Sequence, residues 1–105
     1  MTLELGGKSP QLVFADADLP LAAGAIARSI LGNAGQACVV GSRLIVAESV
    51  AEELVALIAE RMQTIRPGPT WDADSAYSPI ISERQIGRME SIVGAAVARG
   101  ARCRL

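Results

Sequence analysis

A thiol and a carboxylate are the residues of this chain best placed to do chemistry. Cys38 follows the small, turn-forming run Gly32-Asn33-Ala34-Gly35-Gln36-Ala37 and precedes the apolar stretch Leu44-Ile45-Val46. Functional side chains concentrate on connections of this kind, and there the Cys38 N–H is free to donate to a developing oxyanion. A thiol attacks as its thiolate, so it needs a base, and the chain has no histidine. Ser-His-Asp and Cys-His machinery and the commonest zinc ligand sets are therefore excluded, no metal site is expected, and the base must be a carboxylate or a lysine. Glu4, between Leu3 and Leu5 and just before Gly6-Gly7, is the matching carboxylate. Held among apolar neighbours near the end of a strand, it would be a stronger base toward water than a solvated glutamate. Local sequence leaves plainer alternatives open for both: a structural cysteine, and an edge-strand glutamate facing solvent.

Other motifs carry less. Gly7-Lys8-Ser9 ends like a phosphate loop, but Thr2 stands where that motif needs its first glycine, and Pro10 with a strand follows where it needs a helix. Gly32 and Gly35 do not complete a dinucleotide fingerprint. Cys103 is expected to be a small buried hydrophobe on a strand.

The elements that must position these residues follow from periodicity and punctuation. Thr2-Leu3-Glu4-Leu5 and Gln11-Leu12-Val13-Phe14 have the pattern of short strands of a buried sheet. Asp18 is the expected N-cap of a helix over residues 19–31, with Pro20 in its first turn and Gly32-Asn33 closing it. Ser42-Arg43-Leu44-Ile45-Val46 is a buried strand by its β-branched content. Ser49-Val50-Ala51-Glu52 has the form of a capping box, opening a helix that carries Val50, Leu54, Leu57, Ile58, Met62 and Ile65 on one stripe. Residues 67–81 form a surface loop with Trp71 and Tyr77 as anchors. Ser82-Glu83-Arg84-Gln85 repeats the capping pattern before a helix through Ile86, Met89, Ile92, Val93, Ala96 and Val97 that stops at Gly100. Arg102-Cys103-Arg104-Leu105 begins another strand. The order predicts an α/β domain with a parallel-type sheet and flanking helices.

Composition narrows the partners. Ten basic and eleven acidic residues are interspersed, giving a formal charge of −1 and no footprint for nucleic acid or an anionic membrane. No apolar run has the roughly 18 to 20 residues of a membrane span, and no signal-peptide layout opens the chain. A cytoplasmic location with free thiols is expected. The 105 residues amount to a single domain.

Taken together, Leu3-Glu4-Leu5-Gly6-Gly7-Lys8-Ser9-Pro10 and Gly35-Gln36-Ala37-Cys38 resemble the two active-site signatures of the aldehyde dehydrogenase family, in the family's order, with Cys38 lying 34 positions after Glu4. The resemblance continues through Ser42-Arg43 to Ser78-Pro79-Ile80-Ile81-Ser82, where the family usually has Gly-Pro in place of Ser78-Pro79. It decides for the chemical reading of both residues. By that resemblance Cys38 is the nucleophile toward a small-molecule aldehyde, Glu4 the general base for water, and Leu5 and Gly6 the backbone that meets the nicotinamide of NAD or NADP. The presence of Glu4 implies hydrolysis to a carboxylic acid, since relatives that release a thioester to coenzyme A commonly lack it. The family's nucleotide-binding domain, and an asparagine that completes its oxyanion hole, are not among these residues. Residues 1–105 are thus expected to be one partial catalytic domain, inactive in isolation, from a protein that forms homo-oligomers. The alternative is a folded, oligomerising module with no catalysis, in keeping with sheet edges and apolar faces left uncovered.

Overall fold

Two short stretches rich in β-branched and apolar residues find each other across the chain and set its architecture. In a computed structural model, which describes residues 1–104, the elements run β1 (Pro10–Val13), α1 (Leu19–Leu31), β2 (Arg43–Val46), α2 (Ala51–Gln63) and α3 (Glu83–Ala98). β1 and β2 pair in parallel, Pro10 opposite Arg43 and Val13 opposite Val46. The ladder extends at both ends, with Arg43 N–H donating to the Ser9 carbonyl (3.3 Å) and Ala47 N–H to the Val13 carbonyl (3.0 Å). Pro10 opens β1, a position where a strand tolerates the missing N–H. The α/β class with a parallel sheet holds.

α1 starts as its sequence dictates. Asp18 Oδ1 accepts from Leu21 N–H at 3.0 Å, and Pro20 sits in the first turn, where its lack of an N–H costs nothing. Its buried residues Leu19, Ala23 and Ile26 meet Val13 of β1 and Leu54 of α2 in one apolar cluster, with Leu44, Val46, Leu57 and Ile58 packed around it. Ala23 and Leu54 are completely buried. The small side chain at Ala23 lets the two helices close on each other. α3 ends as expected: Ala101 N–H donates to the Ala96 carbonyl and Gly100 N–H to that of Val97, with Gly100 at φ 94°, the left-handed closure that glycine favours.

Several expectations are corrected. Residues 2–5 form no strand, and neither do 102–104; Leu105 lies outside the described residues. Residues 2–5 have a strand-like pattern, but a strand exists only as a partner in a ladder, and among the described residues β1 and β2 pair only with each other. Cys103 is accordingly exposed rather than buried. Its neighbour Arg104 is held instead by an ion pair with Glu52 of α2. Ser49 does not cap α2. A short 3-10 turn over Glu48–Val50 takes its place and the helix begins at Ala51 with no side-chain cap. α2 stops at Gln63, before Ile65, and the Thr64 hydroxyl donates back to the Arg61 carbonyl at 2.9 Å. Ser82 holds the cap position of α3, but its backbone carbonyl, not its hydroxyl, receives the bonds from Gln85 and Ile86. Of the two anchors expected in the 67–81 loop, Trp71 is 87% exposed and Tyr77 is half-buried. The base of that loop is closed by Ala76 N–H to the Arg66 carbonyl (2.8 Å) and Gly68 N–H to that of Tyr77 (3.2 Å).

The sheet is buried on one face only. Val13 points into the helices, whereas Leu12, Phe14 and Ile45 on the other face are exposed, as is the apolar stripe Met89, Ile92, Val93 and Val97 of α3. The accessible surface is 8065 Å², whereas a closed globule of 10.9 kDa would show about 5,600 Å². The radius of gyration, 15.2 Å, likewise exceeds the value of about 13 Å for a compact domain of this length. This segment therefore has a core but not a closed surface.

The two faces of the sheet predict different costs of truncation. Leu54→Ala is expected to destabilise by about 2–5 kcal/mol in urea denaturation, because it empties a completely enclosed position. Leu12→Ala, on the open face, is expected to change stability by less than about 0.5 kcal/mol.

Candidate active site

Parallel pairing has a geometric consequence: both strands begin at the same edge of the sheet. Gly7 precedes β1 and Cys38 precedes β2, so the two motif segments emerge side by side. A methyl group placed on Gly7 would lie 3.7 Å from the Cys38 carbonyl oxygen, in ordinary van der Waals contact. Arg43 secures the junction twice, through its backbone N–H to Ser9 and through Nε to the Lys8 carbonyl at 2.8 Å.

The Cys38 turn is held from behind. Gly41 is buried; its N–H donates to Ser29 Oγ (3.1 Å) and its carbonyl accepts from Gln11 Nε2 (2.8 Å). A methyl group there would sit 2.3 Å from the Gln11 side chain, so only glycine permits this approach without displacing it. Cys38 itself is exposed, in a turn closed by Val40 N–H to the Ala37 carbonyl (3.3 Å). Among the described residues its own N–H has no hydrogen-bond acceptor, which leaves it free to donate to a ligand.

Between α1 and Cys38 the backbone turns left-handed for three residues: φ is 51° at Asn33, 55° at Ala34 and 73° at Gly35. Asparagine tolerates this conformation and glycine favours it, whereas alanine pays about 1–2 kcal/mol. At Gly35 a side chain would also press within 3.2 Å of the Ile30 carbonyl. Side chains brace the turn. Asn33 Nδ2 donates to the Gln36 carbonyl and Gln36 Nε2 to the Asn33 carbonyl, each at 3.1 Å, and Gln36 Oε1 accepts from Ile81 N–H at 2.9 Å. An apolar cleft of about 440 Å³ lies beside it, lined by Ile30, Leu31, Ala34, Tyr77, Ile80 and Met89 among others.

The structure brings some of the predicted site residues together and not others. Gly7 meets the backbone of Cys38. Glu4 and Leu5 lie in the irregular N-terminal segment and are exposed, so the apolar environment expected for Glu4 is absent: with no strand over residues 2–5, Leu3 and Leu5 face solvent alongside it. Gly6 is open, with nothing within 4 Å of a methyl group placed there. Neither the 440 Å³ cleft nor one of about 350 Å³ at Asp18, Gly24, Arg28 and Arg61 is lined by Cys38 or Glu4. Sequence reasoning missed Arg43, Ser29 and the Asn33–Gln36 brace. Arg43 and Gln36 stood in the motif runs that carry the resemblance, without these roles, and the brace left a trace as a pair of carboxamides flanking a turn.

Residues 1–105 match the family model described as Aldehyde dehydrogenase family. Among similar proteins, (Z)-2-((N-methylformamido)methylene)-5-hydroxybutyrolactone dehydrogenase of Acinetobacter baylyi is 40% identical over 97% of this chain and 21% of its own length. Human retinal dehydrogenase 2 is 39% identical over 97% of this chain and 20% of its own. A crystal structure of betaine aldehyde dehydrogenase from Staphylococcus aureus in complex with NAD+ superposes with a TM-score of 0.93 at 35% identity, covering 97% of this chain and 20% of that one. The chain thus spans about a fifth of the length of the relatives it matches.

Backbone handedness at the turn predicts an inverted substitution pattern. Ala34→Gly is expected to raise stability by up to about 1 kcal/mol, the relief at φ 55° exceeding the added entropy of the unfolded chain. Ala34→Val is expected to lower it by about 1 kcal/mol or more, both read from urea midpoints at unchanged slope.

Proposed function

Because the chain belongs to the aldehyde dehydrogenase family, we propose that it supplies the nucleophile and the general base of an NAD(P)-dependent enzyme that oxidises an aldehyde to a carboxylic acid. The observation that carries the reading is the junction at the start of the sheet. There Gly7 lies against the Cys38 backbone, and Arg43 locks residues 8 and 9 in place.

In this reading the Cys38 thiolate adds to the aldehyde carbon, forming a C–S bond while the carbonyl oxygen becomes an oxyanion. The Cys38 N–H donates to that oxygen, and one such donor contributes about 2.7–4 kcal/mol to the transition state. The open backbone at Gly6, beside exposed Leu5, fits the approach of a flat nicotinamide ring, while the residues present offer no glycine fingerprint for the phosphates. The chemistry supplied by NAD+ or NADP+, when bound, is hydride acceptance, which leaves Cys38 carrying a thioester. Glu4 then takes a proton from water, the water oxygen attacks the acyl carbon, and the C–S bond breaks to release the acid and restore the thiolate. Glu4 is exposed on a segment without regular structure, so its carboxylate can swing toward an acyl group on Cys38 without breaking a hydrogen-bonded ladder.

The test is a chimera in which residues 1–105 replace the matching segment of the Staphylococcus aureus betaine aldehyde dehydrogenase. Cys38→Ser is expected to lower NADH formation by at least about 10³-fold; retained turnover would refute the assignment. Glu4→Gln is expected to leave a first-turnover burst of NADH and to slow the steady state by about 10²-fold, since only the hydrolytic step uses the base.

A second reading, a self-associating module without catalysis, is favoured by the open sheet face at Leu12, Phe14 and Ile45. Exposed apolar patches of this kind mark interaction surfaces. Sedimentation of the 105-residue chain at micromolar concentration is expected to show dimers or larger species, and a folded monomer would sink this reading.

A further inference from the structure

The Gln36 carboxamide spends both of its ends on backbone groups from two different segments. Nε2 donates to the Asn33 carbonyl inside the left-handed turn, and Oε1 accepts from Ile81 N–H, 45 residues away. The same Asn33 carbonyl also accepts from Gln36 N–H at 3.0 Å, and Asn33 Nδ2 returns a bond to the Gln36 carbonyl. Three hydrogen bonds therefore close residues 33–36 into one ring, and a fourth ties that ring to the irregular segment before α3. These bonds offset the unfavourable φ at Ala34. Backbone conformations of this kind persist when surrounding groups over-determine them, and they cluster where a side chain must be aimed.

We propose that Gln36 is a positioning residue for Cys38, fixing through its two-ended clamp the turn from which the thiol is presented, and that residues 78–82 belong to the active site as the far anchor of that clamp. This rests on the reading of Cys38 as nucleophile. Two peptide units separate Gln36 from Cys38, so a rotation of the turn about its left-handed residues swings the thiol and the Cys38 N–H together. The two groups that must act on one aldehyde, attacking its carbon and receiving its oxygen, are thereby aimed by a single constraint. The carboxamide suits the task because it is a donor and an acceptor at once; a carboxylate offers only acceptors, and a thioether offers no donor.

Two variants separate the ends of the clamp, each in a Cys103→Ser background so that iodoacetamide reports Cys38 alone. In the 105-residue chain, Gln36→Met is expected to lower amide-exchange protection at Ile81 at least fivefold. Gln36→Glu keeps the acceptor and is expected to leave that protection within twofold. Both lose the donor to Asn33 and are expected to change the Cys38 alkylation rate by threefold or more, with the amides of α1 unaltered as the control for folding. In the chimera, Gln36→Met is expected to lower kcat at least tenfold with KM for NAD+ within twofold, a split that general loss of structure would not give. Unchanged Ile81 protection and unchanged alkylation in Gln36→Met would overturn the clamp, even with Cys38→Ser inactive. Turnover retained in Cys38→Ser, beside the expected Ile81 pattern, would instead place the failure in the nucleophile assignment.

Discussion

The four-residue parallel ladder between Pro10–Val13 and Arg43–Val46 is the constraint on which everything else depends. It joins segments more than thirty residues apart, and because the strands run the same way it aligns their entrances. Without it, Gly7 and Cys38 have no reason to meet. Ligands of open α/β sheets usually gather at the carboxyl edge of the strands. Here the two motif segments stand at the opposite edge, before the strands begin, and the apolar cleft at Phe14 and Ala47 occupies the far end. The site follows from where the motifs lie relative to the strands, not from the fold class.

Stability and function are distributed unevenly over this frame. The α1–α2–sheet cluster around Leu54 supplies the packed core, to which α3 and the 67–81 loop contribute no buried residue among those described. Among the described residues the left-handed turn is the one place where residues other than glycine take positive φ, and it adjoins the thiol. That arrangement is common where a reactive group must be held in a direction that unstrained backbone would not choose.

How much of this was legible in the sequence depends on whether the signal was local. Asp18 and Pro20 announced α1, and Gly100 closed α3, because caps and left-handed closures are encoded by the residue that performs them. The strand centre at Leu12-Val13 was legible as a short apolar run, and that at Leu44-Ile45-Val46 from β-branching. Residues 2–5 carried an alternating pattern without a ladder partner, and 102–104 lacked both the pattern and the partner; local sequence alone cannot supply a partner. The burial of Cys103 failed for the same reason, since it depended on a strand that did not form. Ser49 failed as a cap because Glu48–Val50 closed on itself as a tighter turn first. At the candidate site, the Cys38 loop was legible from its small residues. Gln36 was not, because its decisive partner, Ile81, is 45 positions away and contributes only a backbone N–H, which any residue but proline would offer.

The register of the ladder also makes connection length part of the site. Adding one residue between Gly7 and Pro10, or between Cys38 and Arg43, would slide one motif past the other by up to about 3.3 Å. That is about the whole distance over which a nucleophile and its target are held in near-attack geometry. Insertions at the opposite edge, after Val13 or Val46, leave this spacing untouched. Among proteins built on this frame, variation in loop length should therefore be asymmetric, absent ahead of the strands and free behind them.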